Sequence, residues 1–184
     1  MSTSVIIFVI IIFILALMYN TLVAKKNQVE NIFASVDTVL KKRYDLIPNL
    51  VASVSKYMEH EKGLLEEVTK LRSDANKPNI SDEQKIALDA KISTALGSIM
   101  IAVENYPDLK ANENVMHLQR TLNEIEEQIS AVRRAYNQAV TDYNNALEQV
   151  PTNFMASAMA YKRKEVFEIV DAERRNVNVK ELFN

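Results

Sequence analysis

Residues 115–143 read VMHLQRTLNEIEEQISAVRRAYNQAVTDY, and this stretch decides the fold. Val115, Leu118, Leu122, Ile125, Ile129, Val132, Tyr136, Ala139 and Tyr143 step alternately by three and four residues. That 3.5-residue repeat marks a helix packed coiled-coil fashion against its neighbours, and it persists for about four heptads. Asn112 has the short polar side chain that caps a helix N-terminus. Gln149-Val150-Pro151-Thr152-Asn153 ends the pattern, so a helix is predicted over residues 112–149.

Upstream, Ser81 with Gln84 three residues on is a capping box, which starts a helix over 82–105. Ile86, Leu96, Ile99 and Val103 give it a core face, and Asn105-Tyr106-Pro107-Asp108 closes it. Downstream, a shorter helix is expected over 153–170, followed by a charged, weakly structured tail over 171–184. Before Ser81 one long element is expected over 25–75. Val29, Phe33, Val36, Leu40, Tyr44, Ile47, Val51, Val54, Met58, Leu65, Val68 and Leu71 mark its face, with Glu61 the polar exception. The seam crosses Pro48 without losing phase, so a kink is expected there rather than a helix end. Asn76-Lys77-Pro78-Asn79 ends the element.

The first 24 residues differ in kind. Val5 to Met18 is continuously apolar, and with Tyr19 to Ala24 the uncharged stretch reaches about 20 residues, enough to cross ~30 Å of hydrocarbon. A cleaved signal peptide would begin with basic residues, and Met1-Ser2-Thr3-Ser4 has none. Residues 1–24 are therefore read as a transmembrane anchor and 25–170 as a helical bundle. Lys25 and Lys26 follow the span and nothing basic precedes it. The positive-inside rule then puts the N-terminus outside and the C-terminal domain in the cytoplasm.

Composition agrees with an all-α chain: 184 residues hold two glycines and four prolines, too few for the turns of a β fold. The fold class expected is an N-terminal transmembrane helix continuing into an elongated, antiparallel, coiled-coil-like four-helix bundle. A net charge of −2, with both signs intermixed, gives no footprint for nucleic acid. Zero cysteines remove disulfides and thiolate chemistry together.

A bundle di-metal site needs two Glu-x-x-His pairs. Only His60 and His117 exist, preceded at that spacing by Tyr57 and Asn114. His60-Glu61 begins like a zincin motif but has no second histidine after it. Gly63 and Gly97 stand alone, so no phosphate-cradling loop is read. Glu124, Glu126, Glu127, Arg133 and Arg134 read as a solvated helix face. So do Lys41-Lys42-Arg43, with Asp37–Lys41 and Lys41–Asp45 as local ion pairs. No catalytic, cofactor-binding or metal residue is assigned.

Several runs resemble the LemA family of bacterial membrane proteins. They are Phe33-Ala34-Ser35-Val36-Asp37, the stretch Lys42, Arg43, Tyr44, Asp45, Leu46, Ile47, Pro48, Asn49, then His60 and Glu61. Asn105 to Asn114, Arg133-Arg134-Ala135-Tyr136-Asn137 and Tyr143-Asn144-Asn145-Ala146 follow in order. Val150 stands where that family usually has an aromatic residue. The resemblance implies a single-pass protein of the bacterial cell membrane with an antiparallel helical domain and no catalytic residues to carry over.

The functional expectation is a non-enzymatic scaffold or interaction module for other membrane or envelope proteins, perched on the lipid bilayer and able to form a homo-oligomer. The alternative is an enzyme, or a cofactor-bearing subunit with its site in the bundle. Val39, Leu46 and Leu50 fall on a different side of the first helix from Leu40, Tyr44, Ile47 and Val51. Either a wide core buries both stripes, or Val39, Lys42, Arg43, Leu46, Asn49 and Leu50 form a partner-docking surface.

Overall fold

The computed structural model describes residues 2–167. Its helices are α1 (Thr3–Val54), α2 (Lys62–Ala75), α3 (Asp82–Val103), the single turn α4 (Pro107–Lys110), α5 (Glu113–Glu148) and α6 (Thr152–Ala158), with a 3₁₀ turn at Glu59–Glu61. Among the described residues there is no strand. The chain is all-α, as its periodicity predicts.

α1 is the spine. Over residues 5–17 it exposes isoleucine, valine, phenylalanine and leucine almost without exception, and it passes without interruption into the bundle. By length and composition both α1 and α3 could cross a membrane. α3, however, buries Ile92, Ala95, Leu96 and Ile99 in the bundle and carries Asp89 among them.

The heptad seam of α5 packs against α1. Val115, Leu122, Ile125, Ile129, Tyr136, Ala139 and Tyr143 are all buried. Asn112 caps the helix, its Oδ1 accepting from the backbone N–H groups of Asn114 and Val115. The Ser81–Gln84 capping box closes as expected. The two long helices run antiparallel, since Lys25 pairs with Asp142 at one end and Arg43 with Glu126 nearer the other.

The expected kinked element over 25–75 is corrected. The helix runs through Pro48 and ends at Val54; after the turn at Ser55–Met58, α2 folds back along α1. Pro48 has no N–H for the carbonyl of Tyr44, four residues earlier. That oxygen instead accepts from Arg72 Nε of α2 at 2.8 Å. The bundle is therefore α1, α2, α3 and α5 in up-down-up-down order, and its fourth member is α2, not the last helix.

The expected helix over 153–170 is corrected too. α6 stops at Ala158, and Ala160 beyond it takes a left-handed φ of 52°, which cannot continue the helix. Ala160 N–H then reaches Ser157 O and Tyr161 N–H reaches Ala156 O, both at 3.1 Å, a Schellman ending. Residues 161–167 carry no helix and lie along α5 as a strap, with Phe167 stacked on Tyr136 and Tyr136 on Phe33 at 5.3 and 5.4 Å. The strap fills the side of the α1–α5 pair that α2 and α3 are too short to reach. The tail over 171–184, and the end of the helix expected to 170, lie outside the described residues.

Candidate functional site

Arg43 occupies a core position of α1, one turn after Leu40 and one before Ile47, and is 1% exposed. A charge there must be answered. Its NH1 donates to Glu126 Oε2 at 2.6 Å and to Ser93 Oγ at 2.8 Å. Its NH2 donates to the carboxylate of Asp89, which is 0% exposed. The other oxygen of Asp89 accepts from Arg133 NH2, and Arg133 NH1 lies 3.7 Å from Glu126.

The result is a closed ring, Arg43–Asp89–Arg133–Glu126, alternating in sign and joining α1, α3 and α5. Burial pushes the Arg43 guanidinium down and Glu126 pushes it back up; a guanidinium starts so high that it stays charged. The neighbouring Tyr44 phenol is pushed up to about 12 by burial. Only the Nε atoms of the two arginines lack a partner within the ring.

The ring separates two clefts. One, of about 460 Å³, lies between α3 and α5 and is bounded by Leu96, Met100, Ile101 and Leu122. The other, of about 540 Å³, lies between α3 and the strap and reaches Asp89, Arg133 and Phe167. Chemically the ring holds fixed charges, each answered by its neighbours of opposite sign. Sliding any of the three helices by a turn would strand a buried guanidinium, so the ring fixes their register.

A second polar device holds the strap. Asn137 Nδ2 donates to Phe167 O at 2.9 Å, and Phe167 N–H donates back to Asn137 Oδ1 at 2.8 Å. One heptad on, Asn144 makes the same reciprocal pair with Lys164, at 2.9 and 3.0 Å. Each side-chain amide stands in for the backbone of a neighbouring strand. Tyr143 hydroxyl adds a bond to Lys162 O at 3.1 Å.

The docking face drawn from sequence is corrected. Val39, Arg43 and Leu50 are buried, and Leu46 is half-buried against the core; Lys42 and Asn49 alone of that set are exposed. The wide core takes both stripes. Among the other motif residues Ile47 is buried, Asp45 pairs with Lys41 at 3.1 Å, and Pro48 is exposed. Asp37 turns to Lys85 at 2.5 Å rather than to Lys41. His60 is exposed and Glu61 half-buried at the α1–α2 turn, and His117 is exposed on α5. Glu126 and Arg133, read as solvated, belong to the ring.

Sequence reasoning missed Arg72, Asp89, Ser93, Asn137 and Asn144. Asp89 left a signal: it sits midway between Ile86 and Ile92 at helical spacing, on the very stripe where an apolar residue was due.

The sequence model of the LemA family matches residues 32–180, which takes in the ring, both asparagine clamps and the arginine that serves Pro48. The chain belongs to the LemA family. It is 25% identical over 165 residues to Protein LemA of Metamycoplasma hominis, covering 90% of this chain and 75% of that protein. It is also similar to Magnetosome protein MamQ 2 of Paramagnetospirillum magneticum, 32% identical over 83 residues, and to Magnetosome protein MamQ of Magnetospirillum gryphiswaldense, 29% identical over 82. Those two matches cover 45% of this chain and 30% of each magnetosome protein. Four of the LemA-like runs noted in the sequence now have physical content: they contribute the Asn112 cap, the ring arginines Arg43 and Arg133, and the Asn137 and Asn144 clamps.

Proposed function

We propose that this LemA-family chain is a membrane-tethered, non-enzymatic platform that gathers other membrane or envelope proteins around its helical bundle. The observation that carries this reading is the continuity of α1, a single helix of 52 residues that is exposed and apolar at its start and the core spine thereafter. No flexible joint separates anchor from domain, so the domain is held at the bilayer in a defined pose, as a platform requires. The ring supports the same reading, since its charges are spent on fixing helix register. The orientation proposed is N-terminus outside and bundle in the cytoplasm, supported by Lys25 and Lys26.

Crosslinking in the native membrane, followed by identification of the joined proteins, tests the proposal. A reproducible set of membrane-protein partners is expected. Recovery of the chain alone, together with a stoichiometric metal or cofactor on the purified protein, would favour the enzyme or cofactor-subunit reading. Orientation is tested by Gln128→Cys, an exposed site in a chain without cysteine. It should resist an impermeant thiol reagent in intact cells and react after lysis.

A further inference from the structure

The antiparallel register of α1 and α5 has a consequence at the membrane end. Asp142 lies opposite Lys25, so the remaining turns of α5 carry Glu148 and Val150 down to the level of Met18 and Tyr19, inside the apolar run. The packing agrees. Leu22 is 0% exposed and clusters with Ala146 of α5 and Ala156 of α6, with Met155 and Met159 alongside. Met18 is 8% exposed, although every bulky apolar side chain before it is open. The domain thus overlaps the last turns of the span.

What it presents at that level is apolar apart from Glu148, whose carboxylate is paired with Arg163 from above. Val150 is 75% exposed and Phe154 69% exposed. Among the described residues outside α1, Ile101 at 72% is the other bulky apolar side chain as open as these. Tyr19, also exposed, sits at the same height. Just above stand cations: Lys25, Lys26 with its Nζ 5.4 Å from the centre of the Tyr161 ring, and the exposed Lys162 and Arg163. An aromatic and aliphatic tier beneath a cationic tier is the order of a bilayer interface read from acyl chains to headgroups.

We infer that the α5–α6 corner is a second membrane contact, a foot that seats Val150 and Phe154 in the interfacial layer of the same leaflet that α1 exits. The inference rests on α1 being the anchor. The occupant of this apolar patch is lipid, because the patch is continuous in height with the span. The foot makes the domain a two-point attachment, which fixes its rotation about α1 as well as its height.

The chain has no tryptophan, so single replacements report position directly. The full chain carrying Phe154→Trp, Val150→Trp, Ile11→Trp or Ile101→Trp is reconstituted into phosphatidylcholine vesicles with or without bromine on the acyl chains. Phe154→Trp and Val150→Trp should show blue-shifted emission that brominated lipid quenches, strongest with bromine near the headgroup end. Ile11→Trp should be quenched most by deep bromine, and Ile101→Trp should not be quenched. Water-like, unquenched emission from positions 154 and 150 with Ile11→Trp quenched would overturn the foot and leave the anchor standing. Blue-shifted but unquenched emission would mean that protein, such as a second copy, covers the patch, and would also overturn it. An unquenched Ile11→Trp would remove the anchor and the foot together.

Discussion

Arg72 Nε donates to the carbonyl of Tyr44 at 2.8 Å, and that carbonyl is the one Pro48 leaves without its helical partner. The bond crosses from α2 to α1, so a local defect in one helix becomes a fastening point for the next. The pair makes a sharp prediction. Arg72→Ala should destabilise the otherwise native chain by about 1–3 kcal/mol, the range for losing a charged donor to a part-buried acceptor. In a Pro48→Ala background, residue 48 regains its N–H and the same substitution should cost distinctly less. A double-mutant cycle by urea unfolding in detergent reads the coupling; equal costs in both backgrounds would break the link.

The ring predicts a graded series. Asp89→Ala leaves two buried guanidiniums facing each other and should cost about 3–5 kcal/mol, a large part of the ~5–15 typical of a domain. Glu126→Ala should cost less, about 1–3 kcal/mol, because Glu126 is 38% exposed and Arg43 keeps Ser93 and Asp89. Arg43→Met, Asp89→Leu and Arg133→Met combined should recover most of the Asp89→Ala loss, since the apolar trio leaves unpaired only Glu126, which at 38% exposure keeps its water. Thermal unfolding of the three variants orders them.

The asparagine clamps predict a local effect. Asn137→Ala with Asn144→Ala should leave α1 and α5 packed while exposing the strap. Hydrogen exchange at the Lys164 and Phe167 amides, each now bonded to a clamp, should accelerate, and amides of the α5 seam should not. Uniform acceleration would mean that the clamps support the whole bundle.

Alkaline pH should weaken the fold. Tyr44 and Tyr136 are each pushed up to about 12 from 10.0, chiefly by burial. The folded state therefore holds its phenolic protons where the unfolded chain releases them. Their contribution is fully present below about pH 10 and is lost as pH rises through about 12. Urea midpoints should fall across that window, and Tyr44→Phe should reduce the fall.

The seam of α5 was legible because one helix with one buried face prints its period on the sequence, and the Asn112 and Ser81 caps were legible because capping is local. The α1–α2 turn was not. Val51, Val54, Met58, Leu65 and Val68 keep helical spacing across the break, because both arms of a hairpin bury the face they turn toward each other. Glu61, the polar residue standing on that apolar face, was the surviving mark of the turn. The ring escaped for a different reason: a charge on a helix reads as solvated unless its partners are known, and those of Arg43 lie 46 and 83 positions away.

An unbroken α1, anchored as proposed, would make the protein a lever. About thirty residues of that helix extend past the apolar run, roughly 45 Å at 1.5 Å per residue. A helix whose tilt in the bilayer changes by about 20° would sweep the α1–α2 turn through roughly 15 Å. Bilayer thickness is one of the forces on such a tilt, so a change in the lipid around residues 5–24 would move His60 and Glu61 at the far end of the rod.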